Sequence, residues 1–114
     1  MLAIALPHVD AWNTWYSWYG NSAEGFASRR VEIDAACRRA GRKPGEVKYS
    51  ACVLVAAGDD ASERSHEAPP VRIEKLASHL LAVEAAGADE AILVLDPITE
   101  RSTRAVADAI VDLK

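Results

Sequence analysis

The sequence predicts an α/β fold in which parallel strands are flanked by helices. Three observations carry this prediction: an apolar run from Tyr49 to Ala57, a second apolar run from Ala91 to Leu95, and helical periodicity before and after each run. A strand without polar alternation is buried on both faces, which is typical of a parallel sheet covered by helices. The order strand, helix, strand, helix, strand, helix therefore predicts repeated βα units.

Length and composition exclude several classes of protein. The chain has 114 residues, 50% of them hydrophobic, with 17 acidic and 13 basic side chains and a net charge of -4. We expect a single domain over residues 1–114. The basic residues are dispersed, so nucleic acid is not an expected partner. The apolar segment from Met1 to Leu6 has no basic region of the kind that opens a signal peptide, and it is too short to span a bilayer. We therefore expect a cytoplasmic chain without membrane contact.

The first third of the chain predicts a strand, an aromatic loop and a helix. Met1 to Leu6 is interpreted as the end of a helix that Pro7 stops, and His8 to Trp12 as a short strand. Five of the seven aromatic residues fall within the eight positions that begin at Trp12. A capping-box pattern and a stripe of inward positions then predict a helix from Ala23 to Ala40. The capping residues are Asn21 and Glu24, and the stripe comprises Phe26, Arg30, Ile33, Cys37 and Ala40.

The rest of the chain predicts two more helices. The polar segment from Gly58 to Pro70 is a long connection, as found in active-site lids and disordered insertions. The next helix ends at Gly87, and the last one begins at Thr99. The positions expected to face inward are Ile73, Leu76, Leu80 and Val83 on the second helix and Val106, Ile110 and Leu113 on the third.

Both outer strands of the predicted sheet need neighbours. With consecutive strands side by side, His8 to Trp12 and Ala91 to Leu95 form open edges, and the last strand has neither Pro nor a run of charges to blunt it. We infer either a segment of a larger sheet or a protomer that completes its sheet by association. In the second case the chain is a non-catalytic assembly protein, paired with copies of itself or with a separate N-terminal half.

Several segments, taken in order, resemble the C-terminal part of the luciferase-like monooxygenases. Asp10-Ala-Trp-Asn13 is followed by a helix ending in Ala40-Gly-Arg-Lys-Pro44 and by a strand that opens with Ser50. Gly87-Ala-Asp-Glu-Ala-Ile-Leu-Val-Leu-Asp-Pro97 resembles the final βα unit of the deazaflavin-dependent branch of that family. The resemblance covers essentially all of this chain but under half of a family member.

This resemblance implies three βα units of a partial TIM (β/α)8 barrel. A complete barrel takes about 250 residues, so this chain would supply roughly the last three of its eight units. Family members use reduced FMN or the deazaflavin coenzyme F-420 for hydride transfer or oxygen chemistry on small organic substrates. The earlier strands, and a Gly-Gly segment that helps to bind the cofactor phosphate, have no counterpart here. We therefore expect the chain to be catalytically inactive alone.

In such a barrel, the loops that follow the strands share one face, and that face carries the active site. These loops are residues 13–22, 58–70 and 96–98. The resemblance places aromatic and polar side chains of the first loop at the cofactor or substrate pocket, where flat groups can pack against a fused ring. The alternative is that Trp15, Trp18 and Tyr19 seal an interface or the helical layer. The residues expected near cofactor or substrate are Asp10, Trp12, Asn13, Trp15, Tyr16 and Asp96.

The remaining polar candidates each have two interpretations. His8 and Asp10 either point into the barrel as a proton relay or pocket wall, or have a structural role. Asp96 either contributes at the catalytic end of the last strand or forms an Asx turn before Pro97. No pattern identifies a catalytic residue. Cys37 and Cys52 are expected to be small buried hydrophobes, and no metal site is expected.

Overall fold

A computed structural model describes residues 8, 10–57 and 68–111. Within these ranges the chain forms a parallel sheet and helices, so the mixed α/β class is confirmed. Two single-turn 3-10 helices lie in the connections, at Tyr16–Trp18 and Pro44–Glu46. The main elements are β1 (Ala11–Thr14), α1 (Ala23–Arg39), β2 (Lys48–Ala56), β3 (Val71–Arg72), α2 (Ile73–Ala85), β4 (Glu90–Asp96) and α3 (Glu100–Ile110).

β2 is the central strand of the sheet. β4 runs along one edge of β2, from the Ser50–Glu90 pair to the Ala56–Asp96 pair. β1 pairs with the first residues of the opposite edge, and β3 pairs with Val55 and Ala56 farther along that same edge. Every residue of β2 after Lys48 is buried, as expected for a strand covered on both faces.

Two side chains take the place of a strand in the gap between β1 and β3. The Tyr19 hydroxyl donates to the Cys52 carbonyl oxygen at 2.7 Å. The Asn21 amide accepts from the Leu54 N–H at 3.0 Å and donates to the Leu54 carbonyl at 2.9 Å. It also donates to the Pro69 carbonyl at 2.9 Å. A buried backbone group without a partner costs roughly 1–3 kcal/mol, so these side chains stabilise the middle of β2.

Glycines end the two helices that lead into strands. At the end of α1, Gly41 has φ 78° and the N–H of Arg42 donates to the Cys37 carbonyl at 2.9 Å. At the end of α2, Gly87 has φ 111° and the N–H of Ala88 donates to the Val83 carbonyl at 3.2 Å. Both ends are Schellman motifs, which need a residue that tolerates positive φ.

The three helices pack against one another and against the sheet. The Tyr49 hydroxyl contacts Asp34 of α1, while α2 contacts α1 and β2, and α3 contacts α2 and β4. The expected inward stripes are confirmed for the described residues. Phe26, Ile33, Cys37, Leu76, Val83 and Val106 are buried, and Arg30, Ala40, Ile73, Leu80 and Ile110 are half-buried.

Two expectations about the first third of the chain are wrong. The N-cap of α1 is Ser22, whose Oγ accepts from the Gly25 N–H at 3.1 Å. Asn21 instead adopts φ 55°, a left-handed conformation that Asn tolerates, and its amide is engaged with β2. The first strand starts at Ala11 rather than His8, because its partner segment on β2 begins at Lys48.

The last strand is less buried than its apolar sequence predicts. Ala91 and Ile92 are exposed, Ile92 by 46%, and the next four residues are half-buried. In the described part of the chain β4 pairs with β2 alone, so no strand covers its other edge. β3 was not expected, since two residues are too few to give a periodic signal. The predicted helix end at Met1 to Leu6, most of the Gly58 to Pro70 connection and Leu113 lie outside the described residues.

We expect Asn21→Ala to lower the free energy of unfolding by about 3 kcal/mol. The substitution removes the partners of two buried backbone groups of Leu54 and of the partly buried Pro69 carbonyl, and it places Ala at a positive φ, where its Cβ is disfavoured. Urea unfolding measures the loss. The matched control is Asn13→Ala, which removes one hydrogen bond from an exposed side chain and should cost under about 1 kcal/mol. Equal losses in the two variants would contradict the role assigned to Asn21.

Candidate functional site

The carboxyl ends of all four strands point in one direction, toward what we call the carboxyl edge, because the strands are parallel. The ends are staggered: β1 ends at the level of Ala51 of β2, whereas β4 ends at the level of Ala56. In open and closed α/β sheets, ligands bind at the connections that follow the carboxyl ends of the strands. These connections are residues 15–22, 57–70 and 97–99.

Asn13 is the next-to-last residue of β1, but its level in the sheet is near the amino ends of β2 and β4, because its partner Ser50 pairs with Glu90. It is paired with Ser50 of β2, whose Oγ donates to Asn13 Oδ1 at 3.1 Å. Ser50 is buried and Asn13 is exposed, so the amide nitrogen of Asn13 lies at an accessible surface. The pair forms a fixed polar position on β1 and β2.

Trp12 and Asn13 lie on opposite faces of β1, because side chains alternate along a strand. Trp12 is paired with Tyr49 and lies on the helical side, half-buried against the core. Its indole Nε1 is buried without a hydrogen-bond acceptor among the described residues. The structure therefore does not bring Trp12 and Asn13 into one pocket.

Trp15 and Tyr16 open the connection after β1 and contact each other. Their ring centroids are 4.4 Å apart and the rings are tilted by 35°. Tyr16 is fully buried, Trp15 is half-buried, and Trp18 is 58% exposed. Tyr19 is buried in the helical layer, edge-on to Phe26 at 5.4 Å. Of this cluster, Trp15 and Trp18 have ring surface to offer to a ligand, whereas Tyr19 has the packing role of the alternative interpretation.

The two acidic candidates lie at opposite ends of the sheet. Asp10 precedes β1, is exposed, and accepts from the Lys48 N–H through its backbone carbonyl at 2.9 Å. Asp96 ends β4 at the carboxyl edge and is half-buried, and its carbonyl accepts from the Ala57 N–H at 3.0 Å. Asp10 is therefore near the level of Lys48 and Asn13 near that of Ser50, whereas Asp96 is level with Ala56, roughly 20 Å farther along β2 than Ser50. His8 is also exposed and lies on the Asp10 side of β1.

A polar cluster at the amino end of β2 was missed by the sequence analysis. The Tyr49 hydroxyl donates to Asp34 Oδ1 at 2.6 Å, and the Cys37 sulfur lies 3.8 Å from the Tyr49 hydroxyl oxygen. The Arg30 guanidinium lies over the Tyr49 ring, 4.1 Å from its centroid, and donates to the Gly87 carbonyl. The i, i+4 spacing of Arg30 and Asp34 was the available signal. The cluster joins α1 to β2 and to the turn after α2.

Two tyrosines in this framework have displaced pKa values. Burial raises the pKa of Tyr19, and the neighbouring Cys52 adds to the shift. Burial also raises the pKa of Tyr49, with further contributions from its hydrogen bonds to Asp34 and Cys37. Both phenols therefore remain protonated at neutral pH and act as hydrogen-bond donors rather than as bases.

A cleft of about 650 Å³ lies between the start of α1 and one face of α2. We call it the α1–α2 cleft. Asn21, Pro69 and Pro70 lie at one end of it, where the hydrogen bond from the Asn21 amide to Pro69 joins the two walls. Arg72 and His79 line the α2 wall. Nε2 of His79 is buried without a partner among the described residues, and burial lowers the pKa of this imidazole.

The described ranges also bear on metal binding and on membrane-spanning helices. No group of three or more His, Cys, Asp or Glu side chains there is placed to hold a metal ion. No helix in the same ranges combines the length and the apolar character needed to cross a membrane.

Comparison with known proteins adds no family assignment. No model of a known protein family matches the chain, and no curated protein was found to be similar to it.

We expect the stability of the fold to fall as the pH rises above about 10. The unfolded chain then releases its phenolic protons, whereas folded Tyr19 and Tyr49 retain theirs because their pKa values are raised. The measurement is tyrosinate absorbance against circular dichroism during an alkaline titration. Ionisation of these two of the chain's three tyrosines should coincide with unfolding. Tyr19→Phe and Tyr49→Phe should each flatten the dependence of stability on pH. Ionisation of all three phenols in a folded chain would contradict the assignment.

Proposed function

We propose that this chain is the C-terminal portion of a luciferase-like oxidoreductase that uses FMN or the deazaflavin coenzyme F-420. In this proposal β1, β2 and β4 are three consecutive strands of a (β/α)8 barrel. A separate N-terminal half, or further copies of the chain, would supply the remaining strands. The proposed family and cofactors rest on the resemblance of the sequence, whereas the geometry of the sheet bears on the proposed barrel.

The observation that supports the proposal best is the order of the strands. In a barrel, parallel strands that follow one another along the chain lie side by side, with a helix after each strand. Here β1, β2 and β4 lie side by side in that order, and α1, α2 and α3 alternate with them along the chain. On this reading, Asn13 and Ser50 lie on the face that turns toward the barrel interior.

The proposed pocket lies at the carboxyl edge of the sheet. The sequence resemblance gives Asn13, Trp15, Tyr16 and Asp96 as its candidate residues; Asn13 is level with Ser50 of β2, and Asp96 is level with Ala56. Trp15 offers a half-exposed aromatic ring, and Asn13 offers an amide at the accessible end of a fixed pair. Hydride transfer needs a cofactor that is held against a small organic substrate by groups from several strands. Three strands provide only part of such a site, so we expect the chain to be inactive without its complement.

A fluorescence titration with FMN and with coenzyme F-420 tests the proposal. All three tryptophans of the chain lie between positions 12 and 18, so a ring bound at the carboxyl edge should quench their emission. We expect saturable quenching by one of the two cofactors. Trp15→Phe should remove most of this response, because Trp15 is the half-buried tryptophan in the connection after β1 and its ring is fixed against Tyr16.

Trp18→Phe is the matched control. Trp18 is exposed and has no aromatic partner among the described residues, so its emission should respond to added cofactor only non-specifically. The proposal predicts that this variant keeps the saturable component. If neither cofactor quenches at concentrations up to about 1 mM, the chain does not hold a working part of the site, and the cofactor assignment fails.

A second candidate function is that of a non-catalytic assembly protein, favoured by the open edge of β4. Ile92 on that strand is 46% exposed, and in the described part of the chain only β2 pairs with β4. An exposed apolar edge strand is a template for pairing with another chain. We expect the chain to associate through this edge, as monitored by sedimentation over a range of concentrations.

Ile92→Lys should weaken self-association by at least about tenfold, because a charge on an edge strand opposes pairing. Val31→Lys is the matched control, because Val31 is 68% exposed on α1, away from the sheet edge. An equal effect of both substitutions would exclude β4 as the interface.

A further inference from the structure

We propose that the α1–α2 cleft binds the phosphate group of a small phosphorylated organic molecule. The cleft contributes about 650 Å³ of space, which is within the range of roughly 300–1,000 Å³ typical of small-molecule sites. Arg72, Lys75 and His79 line one wall of it. Their spacing of three and four residues places their side chains on one face of α2 and of the residue that precedes it.

The two cations on this wall are available to a ligand. The nearest carboxylate to Arg72 is that of Glu74, with 3.6 Å between Nε and Oε2 and both side chains largely exposed. An exposed pair at that distance contributes little, so the guanidinium keeps free donors. No described residue forms an ion pair with the Lys75 ammonium group. Guanidinium and ammonium groups together supply the donors that a phosphate, with its three charged oxygens, requires.

His79 lies on the same wall and serves as the reporter of binding. Its side chain lines the cleft, while its Nε2 is buried and has no hydrogen-bond partner among the described residues. Because this nitrogen is enclosed by the protein, the phosphate is held by Arg72 and Lys75, and the His79 ring senses the ligand through the atoms that face the cleft.

The other walls determine what kind of molecule fits. Pro69, Pro70 and Val71 are apolar and suit the carbon skeleton of the ligand. Glu24 lies on the α1 wall and repels a second anionic group. The site therefore favours a phosphomonoester with one compact charged end directed toward α2.

This proposal does not rest on the oxidoreductase function. None of the residues proposed for the cofactor pocket lines the α1–α2 cleft. The probe is glycerol 3-phosphate, which has no ring system, so its binding and the binding of a flavin or deazaflavin can fail independently.

The experiment follows the His79 ring by nuclear magnetic resonance during a titration with glycerol 3-phosphate, and with glycerol as the control ligand. We expect a saturable shift with glycerol 3-phosphate alone. Lys75→Gln should weaken its affinity about tenfold, since a charge-assisted hydrogen bond is lost. Arg38→Gln, which removes the same charge from an exposed position at the far end of α1, should leave the affinity unchanged.

Glu24→Gln gives a second test that does not depend on loss of binding. Because this substitution removes the repulsive charge from the α1 wall, it should strengthen binding about threefold or more. The proposal is overturned if the His79 ring shows no saturable change up to about 10 mM probe, or if Lys75→Gln and Arg38→Gln bind equally well.

Discussion

The pairing of β2's backbone in the gap between β1 and β3 is the constraint on which the rest of the structure depends. β2 is buried on both faces, so each of its N–H and C=O groups needs a partner inside the protein. β1 pairs with β2 as far as Ala51, and β3 pairs with β2 from Val55 onward. The β2 residues between these two points have no neighbouring strand on that edge. The Tyr19 hydroxyl and the Asn21 amide fill the gap, and the same amide reaches Pro69. Three parts of the chain that are distant in sequence are thereby joined at one strand.

This pairing also positions the functional surfaces. To reach Leu54, Asn21 adopts a left-handed conformation directly after Gly20, and Ser22 then begins α1. The connection after β1 is therefore held at both ends, with Trp15 directly after the last residue of β1 and the first turn of α1 near α2. The α1–α2 cleft follows from the same arrangement, because the bond from Asn21 to Pro69 joins its two walls. The left-handed conformation of Asn21 thus helps to place both candidate sites.

Much of the fold could be predicted from the sequence, because its signals are strong and local. The apolar run of β2, the stripes of the helices and the glycines at their ends each have a direct physical meaning. The role of Asn21 was predicted wrongly, because Asn is common both at helix N-caps and where a side chain forms long-range hydrogen bonds to a strand. Asp10 was grouped with the site because the first strand was placed three residues early, which moves a side chain from one end of the sheet to the other. The Tyr49 cluster and the cleft depend on contacts between separate elements, which periodicity does not encode.

The two ends of the sheet have different physical roles, and this separation makes the candidate sites testable. At the amino end, Tyr49, Asp34 and Arg30 form a dense set of buried contacts that tie α1 to the sheet. In the connection after β1 and in the cleft, Trp15, Trp18 and the cationic side chains retain exposed surface. Substitutions at the amino end act on stability, whereas Lys75, Glu24 and Trp18 make few contacts that the fold needs. A change in phosphate binding in the Lys75 and Glu24 variants therefore reports on the site itself, because the contacts that hold β2 and α1 together remain intact.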